Sequence, residues 1–227
     1  MEDIKLFFQS LAGMLFLFVV MSVCLFLPKM SFQYSLAWIY LAVFFIPVII
    51  ITIYLFFNDK NLLNSRLAAG PVAEKRNFQK IIQGLAGIFF ICTFIVSAFD
   101  YKFGWTAVPL WLCYFADIIS FISFVGLFFV FKQNSYLSAT IEIQSQQKVI
   151  STGLYGFVRH PMYLFASLLL IFTPLALGSF CGLIFSISII ILIYFRAIDE
   201  ERELIISLDG YNDYCKKVKY RLIPFIL

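Results

Sequence analysis

The chain has 227 residues, of which 62% are hydrophobic and only 13% are charged, and its net charge is +4. Soluble domains carry about 25% charged residues, so this composition excludes a soluble globular protein and predicts an all-α integral membrane protein. The positive charge indicates contact with the anionic headgroups of a lipid bilayer. Because no basic stripe with interleaved aromatic residues lies outside the apolar segments, a nucleic-acid partner is excluded.

Six apolar stretches qualify as membrane spans, for which a helix needs about 20 residues. The first four are predicted at residues 6–27, 34–57, 81–99 and 108–131. The fifth and sixth lie between Tyr163 and Phe195 and form a helical hairpin that turns near Thr173-Pro174 and Gly178-Ser179. We therefore expect about six transmembrane helices, followed by a C-terminal tail.

The basic residues predict the orientation of these spans. If the N-terminus lies inside, all of the 17 lysines and arginines except Lys29 and Lys102 fall in inside segments. The positive-inside rule then makes both termini and the functional segments cytosolic. Glu2 and Asp3 stand where a cleaved signal would carry basic residues, so the first apolar stretch is interpreted as a retained helix.

Two polar features interrupt the first four spans. Residues 61–67 are interpreted either as a short interfacial helix or as a solvated loop that anchors to lipid. Asp117 lies inside the fourth span, where an acid is costly and is a functional hypothesis by default. The alternative for Asp117 is a structural hydrogen bond to a serine or tyrosine of a neighbouring helix.

The cysteines and histidines do not suggest a metal site. None of the five cysteines forms a CxxC pair, and the chain has one histidine. Protein metal sites of the usual kinds need more ligands than this pattern offers. We expect no bound metal and interpret the cysteines as small core residues.

The first polar segment, residues 144–163, precedes the fifth span. Pro161 suits the first turn of a helix, where its missing N–H costs nothing, so the fifth helix is predicted to begin there. The free N–H groups of that helix start, together with Arg159 and His160, form a candidate site for a carboxylate or phosphate. Gly153 and Gly156 would allow the backbone to approach a ligand closely. The alternative is that Arg159 and His160 only reach toward lipid headgroups.

The second polar segment, residues 195–214, continues the sixth helix beyond the membrane. Arg196 and Glu200 are i,i+4 neighbours on one helix face, and the alternative to a functional role is a surface ion pair worth a few tenths of a kcal/mol. An apolar and aromatic stripe follows, formed by Leu204, Leu208, Tyr211 and Tyr214. Since the fifth and sixth helices form a hairpin, both segments must meet on one side of the membrane. The first segment offers cations and a helix start, and the second offers carboxylates and tyrosines. Together they suit a ligand of mixed charge.

These segments resemble the isoprenylcysteine carboxyl methyltransferase family in its broad prokaryotic form. The matching motif is Val149-Ile-Ser-Thr-Gly-Leu-Tyr-Gly-Phe-Val-Arg-His-Pro-Met-Tyr163. The tail matches in Asp199-Glu-Glu-Arg-Glu-Leu204, Leu208-Asp-Gly-Tyr-Asn-Asp-Tyr214 and Tyr220-Arg-Leu-Ile-Pro224. Weaker similarity extends to Asn134, residues 143–144 and residues 61–67.

The resemblance implies methyl transfer that depends on S-adenosylmethionine, at the cytosolic face of a prokaryotic inner (plasma) membrane. It divides the chain into N-terminal helices, residues 1–133, and a methyltransferase core, residues 134–227. Arg196 and Glu200 are implied to be catalytic, with Arg196 facing the substrate. The residues implied to bind the cofactor are Gln144, Gln147, Lys148, Val149, Ile150, Tyr155, Arg159, His160, Pro161, Tyr163 and Glu200. Many relatives have histidine in place of Gln147, and glutamine can hydrogen-bond there but carries no charge.

The acceptor expected from the resemblance is a lipophilic small molecule, a lipid or a prenylated substrate. A carboxylate is favoured, because it is ionised at pH 7 and needs no general base. One alternative is an NADPH-dependent membrane reductase of the sterol-reductase type, although an acidic tail suits the 2′-phosphate of NADPH poorly. Another is a small carrier or channel, for which Asp117 is the main support.

Overall fold

The computed structural model describes residues 2–68, 70–74, 76–140 and 147–223. Within these ranges the chain forms eight α-helices, one 3-10 turn and no β-strand, which confirms the all-α prediction. The helices are α1 (Glu2–Lys29), α2 (Ser35–Asn58), α3 (Lys60–Leu67), α4 (Asn77–Phe103), α5 (Leu110–Gln133), α6 (Pro161–Ala176), α7 (Leu183–Ser207) and α8 (Tyr211–Lys217), and the 3-10 turn is Gly153–Gly156.

Four helices, α1, α2, α4 and α5, are long and apolar enough to cross a membrane, and they indicate an integral membrane protein. The apolar α6 has 16 residues, a length of about 24 Å at 1.5 Å per residue, and α7 becomes charged after Phe195. The hairpin of α6 and α7 is present, with its turn at residues 177–182. Thr173 and Pro174 therefore lie in the last turn of α6, and the number of six spans stays a prediction.

The bundle places α6 and α7 against the earlier helices. The helix α6 packs mainly on α5, α7 packs on α4, and α1 and α2 pack on α4 and α5 respectively. Gly126 of α5 allows the close approach of α6, since a Cβ there would lie 2.3 Å from the ring of Phe165. The pairing fixes where the cytosolic-end residues of α5, α6 and α7 meet.

A buried carboxylate holds the turn between α6 and α7. Asp100, near the end of α4, accepts hydrogen bonds from the hydroxyl of Ser179 at 2.6 Å and from the backbone N–H of Cys181 at 3.3 Å. It also accepts two from Thr106, through its backbone N–H and its hydroxyl. Four donors make the ionised carboxylate tolerable without contact with water, so Asp100 ties α4 to the hairpin turn.

The structure describes both polar features of the N-terminal half, residues 61–67 and Asp117. Residues 61–67 lie in the helix α3, whose start is capped by Asp59 through a 3.0 Å hydrogen bond from the N–H of Leu62. Leu62 and Leu63 are buried, so α3 packs onto the bundle, and its position at the interface stays a prediction. Asp117 is buried, and its carboxylate oxygens make no hydrogen bond to the described part of the chain, so the alternative of an interhelical hydrogen bond finds no partner there.

Candidate active site

A cavity of about 870 Å³, including its open mouth, lies where α5 ends, α6 begins and α7 runs out into its charged part. The segment 134–140, the segment 147–150 and the helix α8 complete its wall. We call it the polar cavity. Its lining combines charged, polar and aromatic side chains, which suits a ligand that carries both polar and apolar groups.

The described candidate residues from the sequence all line the polar cavity. They are Gln147, Lys148, Val149, Ile150, Tyr155, Arg159, His160, Pro161, Tyr163, Arg196 and Glu200. Gln144 lies outside the described residues. The structure therefore brings two segments that are far apart in sequence to one cavity, while the roles of these residues in binding or catalysis stay predictions.

Glu200 and Arg196 are joined through a tyrosine hydroxyl. Oε2 of Glu200 accepts a hydrogen bond from the hydroxyl of Tyr163 at 2.6 Å, and that hydroxyl oxygen accepts one from Nε of Arg196 at 3.1 Å. The other oxygen of Glu200, Oε1, accepts no hydrogen bond from the residues that the structure describes. One carboxylate oxygen is thus held in place, and the second is available to a ligand.

The guanidinium of Arg196 is fixed from three sides. Nη1 donates to Oε1 of Glu74 at 2.9 Å and to Oε1 of Gln79 at 3.0 Å, and Nη2 donates to the carbonyl of Ala139 at 2.8 Å. The side chain of Glu74 is 1% exposed and that of Arg196 is 12% exposed, so this is a buried ion pair. Arg196 therefore stabilises the packing around Glu74 and also lines the cavity.

Glu201 gathers two arginines and a histidine that come from distant parts of the chain. Its Oε1 lies 2.9 Å from Nε of Arg159 and 3.1 Å from Nε2 of His160, and its Oε2 lies 2.8 Å from Nη2 of Arg221. Burial opposes ionisation of this carboxyl, but hydrogen bonds from His160 and Arg221 and the charges of His160 and Arg159 outweigh it and lower the pKa of Glu201 to about 2. The anion at Arg159 and His160 is therefore the protein's own carboxylate, which sequence reasoning did not assign to them.

The C-terminal tail closes the wall of the cavity through backbone contacts. The N–H groups of Arg159 and His160 donate to the carbonyls of Tyr220 and Arg221 at 2.9 and 3.0 Å. The hydroxyl of Tyr214 donates to the carbonyl of Tyr155 at 2.7 Å. The segment before α6 is thus held between α7 and the tail.

Several residues of the polar cavity were not among the sequence candidates. They are Asn134, Tyr136, Leu137, Ser138, Thr140, Met162, Glu203, Leu204, Leu208, Tyr211 and Tyr214. The stripe from Leu204 to Tyr214 was visible as a helical pattern, but a pattern does not show whether a stripe faces a core or a cavity. Tyr211 lines the cavity, and its hydroxyl is buried with no hydrogen-bond partner among the described residues.

The five cysteines form no disulfide, and Cys24 and Cys113 are buried as interpreted for core residues, whereas Cys92, Cys181 and Cys215 are partly exposed. In the described ranges, no three His, Cys, Asp or Glu side chains are grouped in a way that could hold a metal ion. The absence of a metal stays a prediction.

Gly153 adopts a backbone conformation that other residues rarely take. Its φ is +60°, and a Cβ there would lie 2.7 Å from Oε1 of Gln133, the atom that accepts a hydrogen bond from the N–H of Leu154 at 3.0 Å. This turn sets the position of Tyr155 in the cavity wall.

Replacing Gly153 with alanine is expected to lower the free energy of unfolding by about 1–2 kcal/mol, because a left-handed backbone strains an L-residue and the Gln133 contact must shift. Gly156→Ala is the matched control, since its Cβ would meet only the carbonyl of Ser151 at 3.5 Å. Thermal unfolding in detergent measures both variants, and equal stability of the two would contradict the prediction.

A second cavity, of about 630 Å³, lies between α3, α4, α6 and α7, and we call it the apolar cavity. Its apolar lining is Ile82, Ala86, Met162, Leu192 and Ile193. The two cavities share Ser138, Met162, Tyr163 and Arg196. A single layer of side chains therefore separates a polar cavity from an apolar one.

Comparison with protein families confirms the resemblance that the sequence predicts. Residues 112–206 match the sequence model of the isoprenylcysteine carboxyl methyltransferase (ICMT) family. The match begins in α5, earlier than the motif at residue 149, and ends at residue 206, before the tail motifs at residues 208–214 and 220–224. It includes the start of α6 and the polar part of α7, which form the cavity wall.

A curated relative carries a different activity in its name. The chain is 32% identical over 94 residues to the mouse Delta(14)-sterol reductase TM7SF2. That alignment covers 38% of this chain and 22% of the reductase, so the chain matches about a fifth of the length of this relative. The similarity indicates a shared segment and not a shared whole protein.

Proposed function

We propose that this protein is a membrane methyltransferase that uses S-adenosylmethionine and methylates a hydrophobic or membrane-associated acceptor on a carboxylate. The observation that carries the proposal is the meeting of two unlike cavities at Tyr163 and Arg196. The polar cavity suits a charged, nucleoside-like donor, and the apolar cavity suits a lipophilic acceptor. The ICMT family match over the residues that form this wall supports the assignment.

The polar cavity contains groups that fit S-adenosylmethionine. Oε1 of Glu200 can accept from a ribose hydroxyl or an ammonium group, and the buried hydroxyl of Tyr211 can pair with a further polar group. Tyrosine faces, such as that of Tyr155, favour cations. When bound, the cofactor supplies an electrophilic methyl group on a sulfonium.

The protein's contribution to the reaction is chiefly alignment. Displacement at a methyl group needs the acceptor atom in line at near-attack distance, and positioning can supply much of the rate enhancement. Tyr163, held between Glu200 and Arg196, fixes the point where the two cavities meet.

The groups around Tyr163, where the two cavities meet, suit an acceptor that is already ionised. The single histidine, His160, is paired with Glu201, and the hydroxyl of Tyr163 is committed to Glu200. Neither is placed as a general base. A carboxylate needs none, whereas an amine or a thiol acceptor would need one.

The setting that we propose is a prokaryotic inner membrane, with both termini and the polar cavity on the cytosolic side. The placement of basic residues supports this orientation, since only Lys29 and Lys102 fall on the other side. The acceptor would enter the apolar cavity from the bilayer, between the helices that line it.

The similarity to a sterol reductase favours one alternative, an NADPH-dependent reductase. The 2′-phosphate of NADPH needs free cations. In the polar cavity Arg159 is paired with Glu201 and Arg196 with Glu74, so both arginines are already neutralised and Lys148 is the cation left in the described lining. This charge balance favours S-adenosylmethionine over NADPH.

Binding to detergent-purified protein tests the proposal. We expect saturable binding of tritiated S-adenosylmethionine, and Glu200→Gln is expected to weaken it about tenfold, because hydrogen bonds to charged groups contribute roughly 1.5–3 kcal/mol. NADPH is expected not to compete. Saturable NADPH binding without S-adenosylmethionine binding would contradict the proposal and support the reductase.

The carrier or channel alternative rests on the buried Asp117, and a matched variant addresses it. Asp117→Asn is expected to leave binding of S-adenosylmethionine unchanged, since Asp117 does not line the polar cavity. Transport that is lost in Asp117→Asn and retained in Glu200→Gln would favour the carrier.

The nature of the acceptor can be tested in membranes. Membranes that contain the protein are incubated with cofactor labelled in its methyl group, and the labelled lipid and protein fractions are treated with base. A carboxylate acceptor gives a methyl ester, which releases labelled methanol, whereas a methylated amine or thiol retains its label.

A further inference from the structure

Arg66 is a cation in the apolar cavity that lacks a counter-ion in the described part of the chain. Its Nη1 donates to the carbonyl of Ser138 at 3.2 Å and contacts Sδ of Met162 at 3.5 Å, and its guanidinium lies 5.4 Å from the ring centre of Phe131. All of these partners are uncharged. Nε and Nη2 donate no hydrogen bond to the described residues.

The other arginine of this cavity shows the contrast. Arg196 is neutralised by Glu74 at 2.9 Å, whereas Arg66 has no carboxylate within ion-pair distance in the described ranges. Taking an unpaired charge out of water is costly. Burial lowers the pKa of Arg66 and the positive charge of Arg196 adds to that effect, while Tyr163 and the more distant carboxylate of Glu200 oppose it. An anion bound in the cavity would offset both the loss of hydration and the repulsion by Arg196.

The helix that carries Arg66 is anchored to the bundle, which limits where its guanidinium can reach. The helix α3 is capped at Asp59 and buried at Leu62 and Leu63. The next residue toward the N-terminus, Ser65, accepts a hydrogen bond from the N–H of Ala139 at 3.3 Å. A guanidinium held in this way is suited to bind a carboxylate with two donors.

We infer that Arg66 binds the carboxylate of an amphiphilic acceptor whose chain occupies the apolar cavity. This inference rests on the proposed function and names the group that orients the acceptor. The apolar lining suits the chain, and the lone guanidinium suits the acidic head. Met162 lies in contact with Arg66 and borders both cavities, so a carboxylate bound at Arg66 lies near the boundary where the two cavities meet.

A binding experiment without cofactor tests the inference independently of methyl transfer. The probe is tritiated farnesylthioacetate, which joins an apolar chain to a carboxylate, and its methyl ester is the neutral comparison. Wild-type protein in detergent is expected to bind the acid at least about tenfold more tightly than the ester, because a charge-assisted pair is lost in the ester. Equal affinities would overturn the inference.

Three variants locate the effect. Arg66→Gln is expected to abolish the preference for the acid while leaving the affinity for the ester unchanged. Arg66→Lys keeps the charge without the fork of donors and is expected to retain a reduced preference, which makes it the decisive variant if Arg66→Gln does not fold. Lys60→Gln removes a cation from the same helix, one paired with Asp3 at the surface, and is expected to change nothing. A preference that persists in both Arg66 variants would show that Arg66 only supports the Ser138 segment.

The outcomes separate this inference from the proposed function. Preference for the acid without any binding of S-adenosylmethionine would retain the role of Arg66 and reject the methyltransferase. Methyl transfer without a preference for the acid would retain the methyltransferase and reject the role of Arg66. Displacement of the probe by phosphatidylglycerol at equal concentration would identify a lipid phosphate as the occupant and overturn the acceptor carboxylate.

Discussion

Replacing Glu201 with glutamine is expected to lower the free energy of unfolding by about 3 kcal/mol, because removal of one partner leaves buried charge uncompensated. The carboxylate pairs with Arg159, His160 and Arg221, and its side chain is 6% exposed. These partners belong to the segment before α6 and to the tail, so the variant is also expected to loosen the wall of the polar cavity. Thermal unfolding in detergent measures the effect.

The pH dependence of this effect gives a second measurement. Because the pKa of Glu201 is lowered to about 2 in the folded protein from 4.5, its contribution is complete above about pH 4.5 and is lost as the pH falls through the folded value. The difference between wild type and Glu201→Gln is therefore expected to shrink between about pH 4.5 and pH 2. A difference that does not vary with pH would contradict the ion-pair explanation.

The control for Glu201 lies two residues further along the same helix. Glu203 is 40% exposed and lies 3.5 Å from Arg76. Exposed ion pairs contribute about 0–1 kcal/mol, so Glu203→Gln is expected to have a small effect. An effect as large as that of Glu201→Gln would mean that loss of any carboxylate on this segment destabilises the protein.

Replacing Arg196 with lysine is expected to slow methyl transfer about 100-fold or more, although the positive charge is retained. The guanidinium donates to Tyr163, Glu74, Gln79 and the carbonyl of Ala139, and the single ammonium of lysine cannot reach all four. Tyr163 would lose its fixed position between the cavities, and misplacement by about 1 Å can cost about 100-fold in rate.

Initial rates and cofactor affinity, measured together, separate the effects of this substitution. Most of the loss is expected in kcat, since the alignment of donor and acceptor suffers more than binding of either. Arg202→Lys is the matched control, because Arg202 is exposed on the same helix. A loss confined to cofactor affinity would mean that Arg196 contributes to binding and not to alignment.

The helices were predictable from sequence to a useful extent because lipid imposes a simple rule. Backbone groups in a bilayer must be paired within a helix, so long apolar runs predict α1, α2, α4 and α5. The start of α6 at Pro161 also followed from local chemistry. The length of α6 did not follow from the sequence. Thr173 and Pro174 suggest the start of the hairpin turn, but they lie in the last helical turn of α6.

The two segments that meet at the polar cavity were predictable, but part of the lining of that cavity and the pairings of its charged groups were not. The segments at residues 147–163 and 196–200 lie on one cavity, as expected for a hairpin whose ends must meet. The identity of the anion at Arg159 and His160 was not predictable, because the sequence pattern singles out Glu200 and gives no sign that Glu201 turns toward these residues. The direction in which each points depends on the rotation of α7 against α4 and α6.

The sequence by itself determined a membrane protein, its helical class, the approximate spans and the two segments that form the polar cavity, because apolar length, proline and charge placement act locally. Only the tertiary structure decided that Glu201 neutralises Arg159, that Glu74 neutralises Arg196 and that Arg66 has no such partner in the described chain. These pairings join residues up to 122 positions apart. The free energy of a buried charge depends on which groups surround it in space, and helix packing sets those groups.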